Sequence, residues 1–169
     1  LKNRKEQTTV IDFLKPIKEF INMGFAQAAK GTTKMPHNLA VSHNTRYDVP
    51  RTYPAVDMDF TQVRVTQGKL PNVSDCSVEL KPEGLHFTWT CPGNLYWQRD
   101  SDQVMLLAYF PALEKAVYQL AGVKRFVCAE TLAIGADLLE KHMEIYISFI
   151  AADRKAIANS TYLGAVNAG

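Results

Sequence analysis

Four histidines, His37, His43, His86 and His142, are the side chains of this sequence best suited to general-base or metal chemistry near neutral pH. No two of them stand four apart on a helical stretch, the spacing that would turn both imidazoles toward one metal. His86 alternates with Leu85 and Phe87, which places it on the outward side of a strand. Without a base beside them, the Ser and Cys side chains lack what would activate them as nucleophiles. Two Asp-x-Asp pairs, Asp57/Asp59 and Asp100/Asp102, resemble parts of a calcium loop, but neither completes the oxygen set and the turn glycine that ligation needs. A solvated edge or turn capping is the expectation for both. Neither GxxxxGK[ST] nor GxGxxG occurs, so no phosphate cradle is present.

Cys76, Cys91 and Cys128 cannot all pair within one chain, and none sits in a CxxC or Cys/His spacing. Reducing surroundings or incidental buried thiols are the simpler expectation. Asn72-Val73-Ser74 and Asn159-Ser160-Thr161 match the glycosylation acceptor pattern, which chance supplies often, and both are discounted. The one cluster whose residue types suit a ligand is Tyr96-Trp97 with Arg99, set among Gly93, Asn94 and Gln98 between two strands. Flat rings beside amide and guanidinium donors can stack on a sugar or another planar group. The competing expectation is that Trp97 closes one end of a core.

The elements that must position these residues follow from a change of period. Val10, Phe13, Leu14, Ile17, Ile21, Phe25 and Ala28 recur at three- and four-residue intervals, an apolar stripe that predicts a helix lying on something apolar. Pro16 predicts a kink or a fresh start, and Gly31 ends the run. Pro36 to Asp48 reads as a second short helix. From Tyr53 the apolar residues alternate instead: Val63 and Val65, then Cys76, Val78 and Leu80, then Leu85, Phe87 and Trp89 after a Lys81-Pro82-Glu83-Gly84 turn. Val104 to Phe110 is apolar at nearly every position, as in a strand covered on both faces. Ala116 to Leu120, Arg125 to Thr131, Met143 to Phe149 and a last strand through Tyr162 and Leu163 complete the series.

Seven or so short strands with no crossover helices predict a mainly β chain with N-terminal helices, an α+β protein built on an antiparallel immunoglobulin- or fibronectin type III-like sandwich. The disulfide-and-Trp signature of antibody domains is not expected. Residues 1–52 form the helical segment, packed on or linking to the sandwich, and residues 53–169 form the sandwich. With 169 residues, 47% hydrophobic and 21% charged, such a chain buries a real core without metal or cross-links. The net charge of +2 is ordinary but unevenly placed. Residues 1–53 hold nine Lys and Arg against four Asp and Glu, a balance of +5, and residues 54–169 hold ten against thirteen, or −3. A basic front end suits nucleic acid, an acidic neighbour or the opposite end of another copy, but the first expectation is a solvated helix face. Lys2, Arg4 and Lys5 cluster without an interleaved aromatic, which disfavours nucleic acid. No window holds the roughly 18 apolar residues of a membrane helix. Leu1 opens no charged-then-apolar signal segment, and because the sequence does not start with Met its cellular address is left open.

Phe13-Leu14-Lys15-Pro16-Ile17-Lys18, the Asn38 to Asn44 stretch, Tyr53-Pro54, Val65 to Pro71, Phe87-Thr88-Trp89-Thr90, Asp102-Gln103-Val104 and the terminal Ser160 to Val166 occur here in one order. In that combination the chain resembles, over nearly its whole length, a Bacteroidota family catalogued only as a domain of unknown function. Members of that family usually carry a Gly-rich, basic, strand-like lead-in before the first helix, which this sequence lacks. The resemblance implies an architecture and a source but no activity.

Taken together, these features lead to the expectation of a non-enzymatic structural or protein–protein interaction module without cofactor or metal, self-assembling by strand addition, whose partners are other chains, copies of itself among them. The alternative is a carbohydrate-binding module that uses Tyr96, Trp97 and Arg99.

Overall fold

The computed structural model describes residues 9–45, 48–52, 55–73, 75–91 and 100–168, and for 48–52 and 55–57 the backbone path only. The predicted N-terminal helix forms in pieces: α1 spans residues 9–14, a 3-10 turn spans Lys15–Ile17, and α2 runs over Lys18–Gly24. Pro16 is the cause, because it lacks the donor and the clearance that an unbroken helix needs. Two further helices follow, α3 (Ala26–Ala29) and α4 (Pro36–Thr45), the latter ending before the Asp48 expected from sequence.

Nine strands follow among the described residues. A hairpin pairs β1 (Asp48–Thr52) with β2 (Ala55–Met58). The other seven form two antiparallel sheets. One holds β3 (Cys76–Lys81), β4 (Gly84–Trp89) and β7 (Ala129–Ala133) in the order β3-β4-β7; the other holds β5 (Gln103–Phe110), β6 (Lys115–Gln119), β8 (Met143–Ile150) and β9 (Thr161–Val166) in the order β6-β5-β8-β9. The protein is thus mainly antiparallel β with a few N-terminal helices.

Alternation sorts each strand into two sets. Val104, Leu106, Ala108 and Phe110 of β5, with Met143, Ile145, Ile147 and Phe149 of β8, meet Leu85, Phe87 and Trp89 of the three-stranded sheet. Met105, Leu107 and Tyr109, with Tyr146 and Ile150, join Val10, Phe13, Leu14, Ile17, Phe20, Ile21 and Phe25 of the helices in a second core. Both faces of the four-stranded sheet are therefore covered, which explains why β5 is apolar almost throughout and why every residue of β8 is buried. Each Val, Leu, Ile, Met or Phe side chain among them contributes roughly 1.5–3 kcal/mol on burial.

One predicted strand is missing. Residues 63–66 run irregularly, and their backbone groups are met mostly by side chains instead of a ladder. Asn44 of α4 accepts from the Arg64 N–H (2.8 Å) and donates to the Arg64 carbonyl (2.9 Å), while the Ser160 hydroxyl accepts from the Val65 N–H (3.0 Å). Alternating apolar residues are still buried here, Val63 and Val65 both in the helix-side core. The backbone of Gly24 lies so close that a Cβ there would stand 2.4 Å from the Val65 carbonyl oxygen.

Candidate functional site

The four sheet edges differ in how well they are closed. In β3 the register places Cys76 opposite Trp89, Val78 opposite Phe87 and Leu80 opposite Leu85, so these three side chains face the core. Yet none is fully covered: Cys76 and Val78 are half-buried and Leu80 is 37% exposed. No second strand is hydrogen-bonded to β3 among the described residues, although β9 of the other sheet passes close by. Its unpaired backbone groups and half-open inner face make it the sheet edge most ready for another strand. Along residues 75–84, which carry β3 and its turn, Asp75, Glu79 and Glu83 are exposed and Lys81 is the one cation of that stretch.

The remaining edges are blunted. Glu130 of β7 pairs with Phe87 and so points to the core side, where its carboxylate accepts from the Val123 N–H at 2.8 Å. An inward-pointing charge on an edge strand opposes further pairing. β6 lies against the helices, with Tyr118 packed edge-on to Phe20 at 5.9 Å. β9 changes register between Ile145 and Tyr146 of its partner and is flanked at its start by Asn72, which donates to the Thr161 hydroxyl at 2.8 Å.

Two polar clusters could in principle do chemistry. On the helix side of β8, the largely buried Glu144 accepts from the Tyr162 hydroxyl, and His142 Nε2 lies 2.9 Å from its other oxygen. Burial first, then the Glu144 carboxylate, holds the Tyr162 phenol above its ordinary range, so it acts as a donor and stays protonated. Tyr146 is raised mainly by burial and donates to the Phe60 carbonyl at 2.7 Å. Each Glu144 oxygen thus has a partner, and together these bonds tie β8 to β9 and to the Phe60 segment. At the other end of the sandwich, Arg125 lies 3.9 Å from Asp102, donates to the Pro71 carbonyl and stacks at 4.1 Å over the Phe149 ring. Trp89 meets the same ring edge-on at 5.4 Å and donates from Nε1 to the Arg125 carbonyl. Sequence reading passed over Arg125, because nothing local marks an arginine that will be 2% exposed.

Of the residues singled out from sequence, Tyr96, Trp97 and Arg99 lie outside the described residues. His86 faces outward from β4 with Nδ1 3.0 Å from the Thr131 hydroxyl, a cross-strand contact. Asp59 caps a turn by accepting from the Thr61 N–H. Asp102 is buried beside Arg125, so it is neither solvated nor part of a calcium loop. Among the described residues no three His, Cys, Asp or Glu side chains are placed to hold a metal, and no helix is long and apolar enough to cross a membrane.

The cysteine expectation is corrected. Cys91 and Cys128 form a disulfide with Cα atoms 5.9 Å apart, and Cys76 alone is free. β4 and β7 are neighbours, and the Trp89 N–H bonds to the Cys128 carbonyl at 3.0 Å, so the ends of these two strands bring the sulfurs together. The bridge ties neighbouring strands of one sheet, unlike the inter-sheet bridge of antibody domains.

No curated protein and no solved structure is significantly similar to the chain. A family model does match, over residues 1–164. That match covers the helical layer, both sheets and all but the last residues of β9, and it places the chain in the family of unknown function DUF6266.

Proposed function

We propose that this protein is a non-enzymatic assembly module, of the immunoglobulin- or fibronectin type III-like kind, that takes a strand from a second copy along β3. The strand orders β3-β4-β7 and β6-β5-β8-β9 support the sandwich type, since consecutive strands switch sheets as Greek-key connections require. The observation that carries the assembly reading is the open inner face of β3, with Leu80 37% exposed at a core position. An added strand would bond to the free backbone groups and cover Cys76, Val78 and Leu80.

Charge names the donor. The β3 surroundings are acidic, while the front end of the chain, residues 1–53, carries a balance of +5 with Lys2, Arg4 and Lys5 clustered. A basic segment from the front of one copy therefore complements the edge of the next, and the head-to-tail contact repeats without closing.

Light scattering over a concentration series tests this. Assemblies larger than a monomer are expected at high concentration, dispersing in Leu80→Lys and in the triple variant Lys2→Glu, Arg4→Glu, Lys5→Glu, and weakening with salt. A wild-type chain that stays monomeric at every concentration refutes it.

A further inference from the structure

Where α1, the β2 end and the β5–β6 turn meet, a cleft of about 290 Å³ opens on the helix side of the four-stranded sheet. Three aromatic rings line it. Phe13 and Tyr109 meet edge to face at 4.6 Å, Phe13 and Phe60 are tilted at 6.0 Å, and Phe60 and Tyr109 are tilted at 5.9 Å. Phe13 and Tyr109 are almost fully buried, so the half-buried Phe60 ring and the Tyr109 hydroxyl are what these aromatics offer to a ligand in the cleft.

Two carboxylates, Asp12 from α1 and Glu114 from the turn, share the lining, and among the described residues no lysine or arginine does. Glu114 is held there by a left-handed backbone, φ 48°, which a non-glycine residue adopts only at a cost. Tyr109 is 4% exposed and lines the cleft, yet no hydrogen bond reaches its hydroxyl among the described residues. The two carboxylates give the cleft a negative field; burial first, and these two charges after it, push the Tyr109 phenol up to about 12. Such a field repels anions and attracts cations.

We propose that this cleft binds an ammonium cation, seated beside the Phe60 ring and the Tyr109 hydroxyl and neutralised by Asp12 and Glu114. The Phe60 ring attracts the cation through its quadrupole, the carboxylates supply full charge, and the Tyr109 oxygen accepts a hydrogen bond from an N–H. Lys15, at the rim, already places its Nζ 2.8 Å from Asp12, so an ammonium is compatible with that carboxylate. This pair is exposed and three residues apart on one helical stretch, a weak contact that an incoming cation can displace. The site is independent of the β3 edge and can stand or fall without it.

The experiment is a ring-resonance titration by NMR with three probes: butylammonium, Nα-acetyl-lysine N-methylamide and the neutral 1-butanol. Saturable shifts at Tyr109 and Phe60 are expected from both cations and not from the alcohol. Glu114→Gln and Asp12→Asn should each weaken binding by about fivefold, the size of one cation–π or exposed charge contribution, and Lys15→Met should tighten it. Tighter binding of the lysine derivative identifies a protein side chain as the source, and equal binding identifies a free amine. Tyr109→Phe, which keeps the ring, should bind more weakly while unfolding at the wild-type temperature. Absence of saturable cation shifts, equal shifts from 1-butanol, or unchanged affinity in a folded Glu114→Gln overturns the proposal.

Discussion

Cys91 and Cys128 stand 37 residues apart and are joined in the folded chain. Closing a loop of that length removes unfolded-state entropy worth about 3–4 kcal/mol in the chain-entropy treatment. Cys91→Ser, or reduction of the native chain, is therefore expected to lower unfolding stability by about that amount in a denaturant titration, whereas Cys76→Ser should change it little. A thiol count of one without denaturant-assisted reduction, rising to three after it, checks the pairing directly. Sequence could not show this bond because an odd number of cysteines leaves the pairing open, and only the register of β4 against β7 selects these two. His86 was legible for the opposite reason. Its position depends on the two-residue period of its own strand and on nothing distant. Arg125 and Asp102 follow the cysteine pattern: their burial depends on Phe149 and Pro71, far away in the chain.

At the level of elements, periodicity located most strands, misplaced one, began another early at Arg125, where a 3-10 turn precedes β7, and did not mark the β1–β2 hairpin. The hairpin of β3 and β4 has its turn where Pro82, Glu83 and Gly84 predict it, and β5 and β8 fill the spans their apolar runs mark out. Residues 63–66 alternate just as well, yet they pair with no strand, because Asn44 and Ser160 satisfy their backbone first. Alternation reports burial on one side of an extended chain and does not say what bonds to the backbone. Asn44 is fully buried and serves as both donor and acceptor to one residue, so Asn44→Ala strands two backbone groups. The expected loss is about 1–3 kcal/mol, read as a lower unfolding midpoint, with faster amide exchange concentrated at Arg64 and Val65. A uniform rise in exchange across both sheets would instead mark Asn44 as an ordinary core residue.

For the molecule as a whole, the helices set the number of layers. An apolar stripe on residues 10–28 announces that they must lie on something, and the two apolar sets of β5 announce that its sheet is covered twice; their match is the three-layer arrangement of helices, four-stranded sheet and three-stranded sheet. The sequence reading instead left open whether residues 1–52 pack on the sandwich or merely link to it, since a stripe names no partner. Met105, Leu107, Tyr109, Tyr146 and Ile150 would all face water without the helices. At roughly 2 kcal/mol for each aliphatic side chain, with the two tyrosines in addition, the loss is on the order of 10 kcal/mol. A domain's entire net stability is about 5–15 kcal/mol, so little or none would remain. Expression of residues 53–169 alone is accordingly expected to give insoluble or dye-binding, molten chains, and adding residues 1–52 as a separate peptide should restore cooperative unfolding. If residues 53–169 instead unfold sharply at the full-length midpoint, the helical layer contributes little to the sheet it covers, and the five side chains must find other cover.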